Sequence, residues 1–114
     1  MNLKLDSRSI RIRLKKDEAF ELAREGKFEE CFPLFDQDFG FNVRCKEDGK
    51  LSWEVLGHNH IELLVPQVEL DDLLFFGKNK SIKEVIQVGE RTVEIRFEID
   101  RFSSIPHSSP PSKW

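Results

Sequence analysis

Arg11 and Arg13 stand two residues apart in Ser9-Ile-Arg-Ile-Arg-Leu14, a spacing that puts two guanidinium groups on one face of an extended strand, about 7 Å apart. Two planar cations so placed suit a phosphate-bearing or dicarboxylate ligand, because each can make a bidentate contact. Arg44 and Arg96 fall on faces of the same type and extend this candidate anion site if the sheet curls. Glu94, Glu98 and Asp100 alternate along Thr92-Val-Glu-Ile-Arg-Phe-Glu-Ile-Asp100. Convergent carboxylates are what a hard divalent cation needs, and Glu94 and Glu98 are the candidate metal ligands. The simpler reading of both rows is cross-strand ion pairing, each pair contributing roughly 0.2–1 kcal/mol. The near balance of acids and bases on the two strands favours it. His58-Asn59-His60 has metal-ligand spacing, but Gly57 and Asn59 put His58 in a turn, which points the imidazoles apart. No nucleophile-base pairing and no glycine-rich phosphate loop is present, and no cofactor is implied.

The elements that must carry these residues follow from period and punctuation. Leu3 and Leu5 form a short strand, Asp6-Ser7-Arg8 interrupts it, and Ile10, Ile12 and Leu14 resume the apolar face. Ala19, Phe20, Leu22 and Ala23 recur at helical spacing and Gly26 suits a left-handed cap, predicting a helix over 16–25. Strands over 28–35, 39–46 and 51–56 then follow as a meander, and Pro33 confines the first of them to an edge or a bulge. A strand over 60–65 leads through Pro66 into a second helix closed by Gly77. A hairpin over 82–88 and 92–101 turns at Gly89-Glu90-Arg91. The ten Phe and two Trp residues mostly read as core, except that Leu74-Phe75-Phe76 cannot all face one interior.

At 114 residues the chain suits one domain, expected over 1–102 with a flexible Ser/Pro-rich tail over 103–114. A domain of this size buries roughly 65% of its unfolded surface, enough for a core without staples. Eighteen basic against 21 acidic residues give a net charge of −3, which disfavours nucleic acid as a partner. No run approaches the ~18 apolar residues of a membrane span. Cys31 and Cys45, lacking CxxC spacing, read as buried reduced thiols in a cytoplasmic protein.

Two strand-helix units are alike at an offset of 51 residues: Ile12 matches Leu63, Leu14 matches Val65, Leu22 matches Leu73 and Gly26 matches Gly77. A β-α-β-β-β module thus occurs twice. Leu3-Lys-Leu5, Ser9-Ile-Arg-Ile-Arg-Leu14, Ile61-Glu-Leu-Leu-Val-Pro66 and Phe97-Glu-Ile-Asp100 together resemble a family of short uncharacterised bacterial proteins with a domain of unknown function, over residues 2–102. The doubled module is in turn similar to the CYTH-like triphosphate tunnel phosphatases, whose curved sheet closes around inward-pointing charges. Those enzymes open on Glu-x-Glu-x-Lys where this chain has Ser9-x-Arg11-x-Arg13, so the metal-binding carboxylates of that strand are missing.

The expectation is therefore an α+β domain on one strongly curved antiparallel sheet of seven or eight strands with two helices, serving as a binding or accessory module. The alternative is a phosphate-binding protein or metal-dependent phosphohydrolase related to the tunnel enzymes. A third is a homo-oligomer joined through Phe75, Phe76 or an edge near Pro33. An anionic small molecule is the partner chemistry the arginines suggest. Truncation after Phe102 is expected to leave the thermal midpoint nearly unchanged; a loss of many degrees on a melting curve would contradict the domain boundary.

Overall fold

In the computed structural model, which describes residues 1–76 and 81–100, the alternating runs become strands and both helical periods become helices. The order is β1 (Asn2–Leu5), β2 (Ser9–Lys15), α1 (Lys16–Glu25), β3 (Lys27–Leu34), β4 (Gln37–Lys46), β5 (Ser52–Gly57), β6 (His60–Pro66), α2 (Gln67–Asp71), β7 (Ser81–Val88) and β8 (Arg91–Asp100). α2 runs on into a π-helical turn, Asp72–Phe76. The closing glycine expected at 77 and the tail over 103–114 lie outside the described residues. No helix among the described residues is long and apolar enough to cross a membrane.

The strands form two open four-stranded sheets, ordered β1-β2-β8-β7 and β3-β4-β6-β5, in place of one strongly curved sheet. The meander fails at β5. β4 holds β3 on one edge and accepts β6 in parallel on the other, so β5 pairs outside β6. The first sheet likewise joins two hairpins through the parallel pair β2 and β8. Parallel neighbours require a long connection, and here they draw together strands far apart in the chain.

Each half of the chain reads hairpin, helix, hairpin, so the repeating unit is ββαββ and not β-α-β-β-β. Ser9–Lys15 corresponds to His60–Pro66 at 51 residues, while Lys27–Leu34 and Gln37–Lys46 correspond to Ser81–Val88 and Arg91–Asp100 at 54. The strand orders correspond as well: β1-β2-β8-β7 maps onto β5-β6-β4-β3. Each sheet therefore takes the first hairpin of one half and the second hairpin of the other.

One core unites both sheets and both helices. Ile12 and Leu14 of β2, Leu22 of α1, Val43 of β4, Val65 of β6, Leu70 of α2, and Ile95 and Phe97 of β8 are all fully buried within it. α1 ends on Gly26, whose left-handed φ of 85° lets its N–H reach the Leu22 carbonyl at 2.8 Å. The Gly26 carbonyl then accepts from the Cys45 amide at 2.9 Å, tying the helix end to β4.

Cys45 is half-buried, and desolvation followed by the Asp71 charge pushes its thiol above the ordinary range. Cys31, expected in the core, is exposed, because Phe28, Glu30 and Phe32 occupy the inward positions of β3 and put it on the opposite face. Pro33 lies in β3, an outer strand. Of the apolar triplet, Leu74 packs against the core and Phe75 lies on Phe20, ring centroids 5.9 Å apart, while staying 58% exposed.

Because Ile12 sits at zero exposure between α1 and the partner strands, Ile12→Ala is expected to cost roughly 2–5 kcal/mol. Urea denaturation measures this, and an unchanged midpoint would contradict the packing described.

Candidate anion site on the first sheet

Alternation sends Ile10, Ile12 and Leu14 of β2 and Ile95, Phe97 and Ile99 of β8 toward the core, so the residues between them share the opposite face. The parallel register pairs Arg11 with Arg96 and Arg13 with Glu98. β1 adds Lys4 opposite Arg11, and β7 adds Lys83 opposite Arg96. One row across all four strands is thus Lys4, Arg11, Arg96 and Lys83, cations separated by the strand spacing of about 4.8 Å. Like charges directly opposite one another destabilise a sheet.

The flanking carboxylates relieve only part of this row. The Nη2 and Nε of Arg13 donate to Glu98 Oε1 at 3.1 and 3.2 Å. Arg96 stands 3.7 Å from Glu94 and 3.6 Å from Glu98, close enough for attraction but without a hydrogen bond. Among the described residues, no ion pair or hydrogen bond engages the side chains of Arg11, Lys4 or Lys83.

Asp6, nearest to Lys4 in the chain, is committed to the β1–β2 turn. Its carboxylate accepts from the Arg8 and Ser9 amides, both at 2.8 Å, and from the Ser9 hydroxyl at 2.9 Å. Those donors, the Arg8 amide foremost, hold its pKa below the usual carboxylate range. A shallow depression of about 220 Å³ lies here, lined by Lys4, Asp6, Ser9, Arg11, Glu94 and Arg96.

The structure brings Arg11, Arg13, Arg96, Glu94 and Glu98 together but places Arg44 elsewhere. Arg44 belongs to β4 in the second sheet, where its Nη2 donates to Glu62 Oε1 at 2.6 Å. Glu62 is only 5% exposed, so the guanidinium supplies the partner a buried carboxylate needs. This bond and the Glu62 charge raise the Arg44 pKa further. Glu94 and Glu98 flank Arg96 along β8. Among the described residues, no group of three or more His, Cys, Asp or Glu side chains is placed to hold a metal ion.

A family model matches residues 1–101, which take in all eight strands and both helices. The chain belongs to a family of unknown function, DUF7009. No curated protein and no solved structure matches it.

Lys4 and Lys83 of this DUF7009 chain are the site residues that sequence reasoning missed. Lys4 alternates with Leu3 and Leu5, whereas Lys83 lies in a run, Ile82-Lys-Glu-Val-Ile86, that does not alternate, and nothing local tells that either will stand beside an arginine of another strand. Charge repulsion along the row predicts that Lys83→Glu, which sets a carboxylate opposite Arg96, stabilises the fold by roughly 0.2–1 kcal/mol. Urea denaturation checks this; a lower midpoint would show that the row carries no repulsive strain.

Proposed function

We propose that this domain is a binding module whose cationic row on the first sheet receives a small anionic ligand. The observation that carries the reading is Arg11, a half-buried residue without an ion pair, between Lys4 on one side and Arg96 on the other. Four cations in line are unfavourable alone and become favourable when an anion lies across them. The ligand class is a phosphate-bearing or dicarboxylate molecule, since arginines contact such groups bidentately. Glu94 and Glu98 border the row and work against a long polyanion such as nucleic acid.

A likeness to the CYTH-like tunnel proteins makes inorganic triphosphate the first ligand to try. The charged faces of the central strands support that likeness, while the ββαββ order of each half departs from the β-α-β-β-β module on which it was drawn. The openness of both sheets and the Ser9-x-Arg11-x-Arg13 strand argue for binding over hydrolysis.

Calorimetric titration with triphosphate is expected to show magnesium-independent binding that weakens at least tenfold in Arg11→Ala and falls with added salt. No binding by the unaltered protein, or binding indifferent to Arg11→Ala, would overturn the reading. Magnesium-dependent phosphate release lost in Glu94→Gln would favour the phosphohydrolase, with Glu94 and Glu98 as metal ligands.

A further inference from the structure

The charged face of the first sheet continues past the cationic row toward one end of the sheet. The parallel pairing of β2 with β8 begins at Ser9 and Glu94, where the Glu94 amide donates to the Arg8 carbonyl at 2.9 Å. Beyond this pair lies a second depression of about 490 Å³, lined by Ser7, Arg8, Glu90, Arg91 and Thr92. Ser7 stands two residues before Ser9 and Thr92 two before Glu94, so the two depressions follow one another along the same strand pair. Arg8 and Arg91 are exposed, and among the described residues no ion pair engages either guanidinium.

Between these two groups of cations the charge reverses. Glu94, its side chain 41% exposed, stands 3.7 Å from Arg96 without a hydrogen bond, so its oxygens can still accept. Ser9, its partner in register, donates its hydroxyl to Asp6 at 2.9 Å, which leaves the Ser9 oxygen as an acceptor. Asp6 itself is saturated by the Arg8 and Ser9 amides and that hydroxyl. Along the strand pair the face therefore reads cations, acceptors, cations.

We propose that the two depressions together bind an extended polyol bisphosphate. One phosphate lies on Lys4, Arg11 and Arg96, the other on Arg8 and Arg91, and hydroxyls between them donate to Glu94 and Ser9. This rests on the reading of the row as an anion site and names the class of anion. A compact anion fills one end only, and a continuous polyanion sets negative charge against Glu94 and Asp6. Hydroxyls supply the donors that the middle lacks.

The spacing agrees. Three residues separate Arg8 from Arg11 and four separate Thr92 from Arg96, which puts the two cationic ends roughly 10–13 Å apart at ~3.3 Å per residue. At ~3.8 Å per three bonds, an open six-carbon chain with its ester oxygens sets two phosphorus atoms at most about 11 Å apart. The Ser7 and Thr92 hydroxyls add donors at the outer end, while Glu90 in the same depression makes it the weaker of the two.

Calorimetric titration of the full chain with a hexitol bisphosphate tests this, beside the hexitol monophosphate and hexanediol bisphosphate, which has the same reach without inner hydroxyls. The hexitol bisphosphate is expected to bind at least tenfold tighter than either. Arg8→Ala with Arg91→Ala should bring it down to the level of the monophosphate while leaving triphosphate affinity unchanged, which also shows the variant to be folded. Arg91→Ala alone, at the exposed start of β8, should weaken it in the same direction and serves where the double variant melts early. Arg11→Ala should weaken both the hexitol bisphosphate and triphosphate.

Equal affinity for the mono- and bisphosphate, or for the two bisphosphates, would overturn the proposal. So would hexitol bisphosphate binding indifferent to the arginine variants, or triphosphate binding lost in a folded double variant. If triphosphate binds through Arg11 while the bisphosphates bind no better than the monophosphate, the two-ended site fails and the anion site stands. If none of these ligands binds, the anion reading fails in its own right.

Discussion

The parallel register of β2 and β8 sets Ile12 beside Phe97 on one face and Arg11 beside Arg96 on the other. Side-chain direction alternates, so these two juxtapositions cannot be separated: a slip of one residue would send every apolar side chain to solvent. Ile12 and Phe97 both have zero exposure, and burying a large apolar side chain stabilises by roughly 1.5–3 kcal/mol. An unfavourable cross-strand pair costs only about 0.2–1 kcal/mol. The core therefore dictates the register, and the cationic row is carried along against its own repulsion. An anion laid across the row would relieve what the core imposes.

The same register makes the two halves depend on each other. β1 and β2 find their neighbours in β8 and β7, and β3 and β4 find theirs in β6 and β5. Neither half contains a complete four-stranded sheet, so the core assembles only when both are present. α1 serves this interlock through Gly26, which receives the amide of Cys45 and anchors the helix to the sheet built by the other pair of hairpins. At corresponding places on this shared backbone plan Arg11 stands against Glu62 and Lys83 against Glu29.

Much of the local structure was legible from period and punctuation. The helix over 16–25, its glycine cap, and the alternating strands around Ile12 and Phe97 all follow from residues within a few positions of one another. Pairing was not legible. Short connections point to a meander through β3, β4 and β5, yet β4 spends its second edge on β6, and no residue near Lys46 or Leu51 announces this. The alternation of its run groups Arg44 with Arg11, Arg13 and Arg96, but alternation identifies a face and not a sheet. Lys4 and Lys83 were missed for the converse reason, since their significance lies in what stands opposite them. Cys31 shows the limit of pattern within a strand: Glu30, whose side chain lies within 3.4 Å of the amino terminus of Met1, takes the inward position between two phenylalanines and turns the thiol outward.

The central claim is that Arg11 and Arg96 act as one cationic site while Arg44 is bound up in its own ion pair. Resolving the arginine Nε–H signals by NMR during a triphosphate titration tests it most directly. The account predicts that the Arg11 and Arg96 resonances shift together along a saturating curve and that the Arg44 resonance stays where it was. Equal small drifts at all arginines, or a saturating shift at Arg44 with none at Arg11, would contradict it.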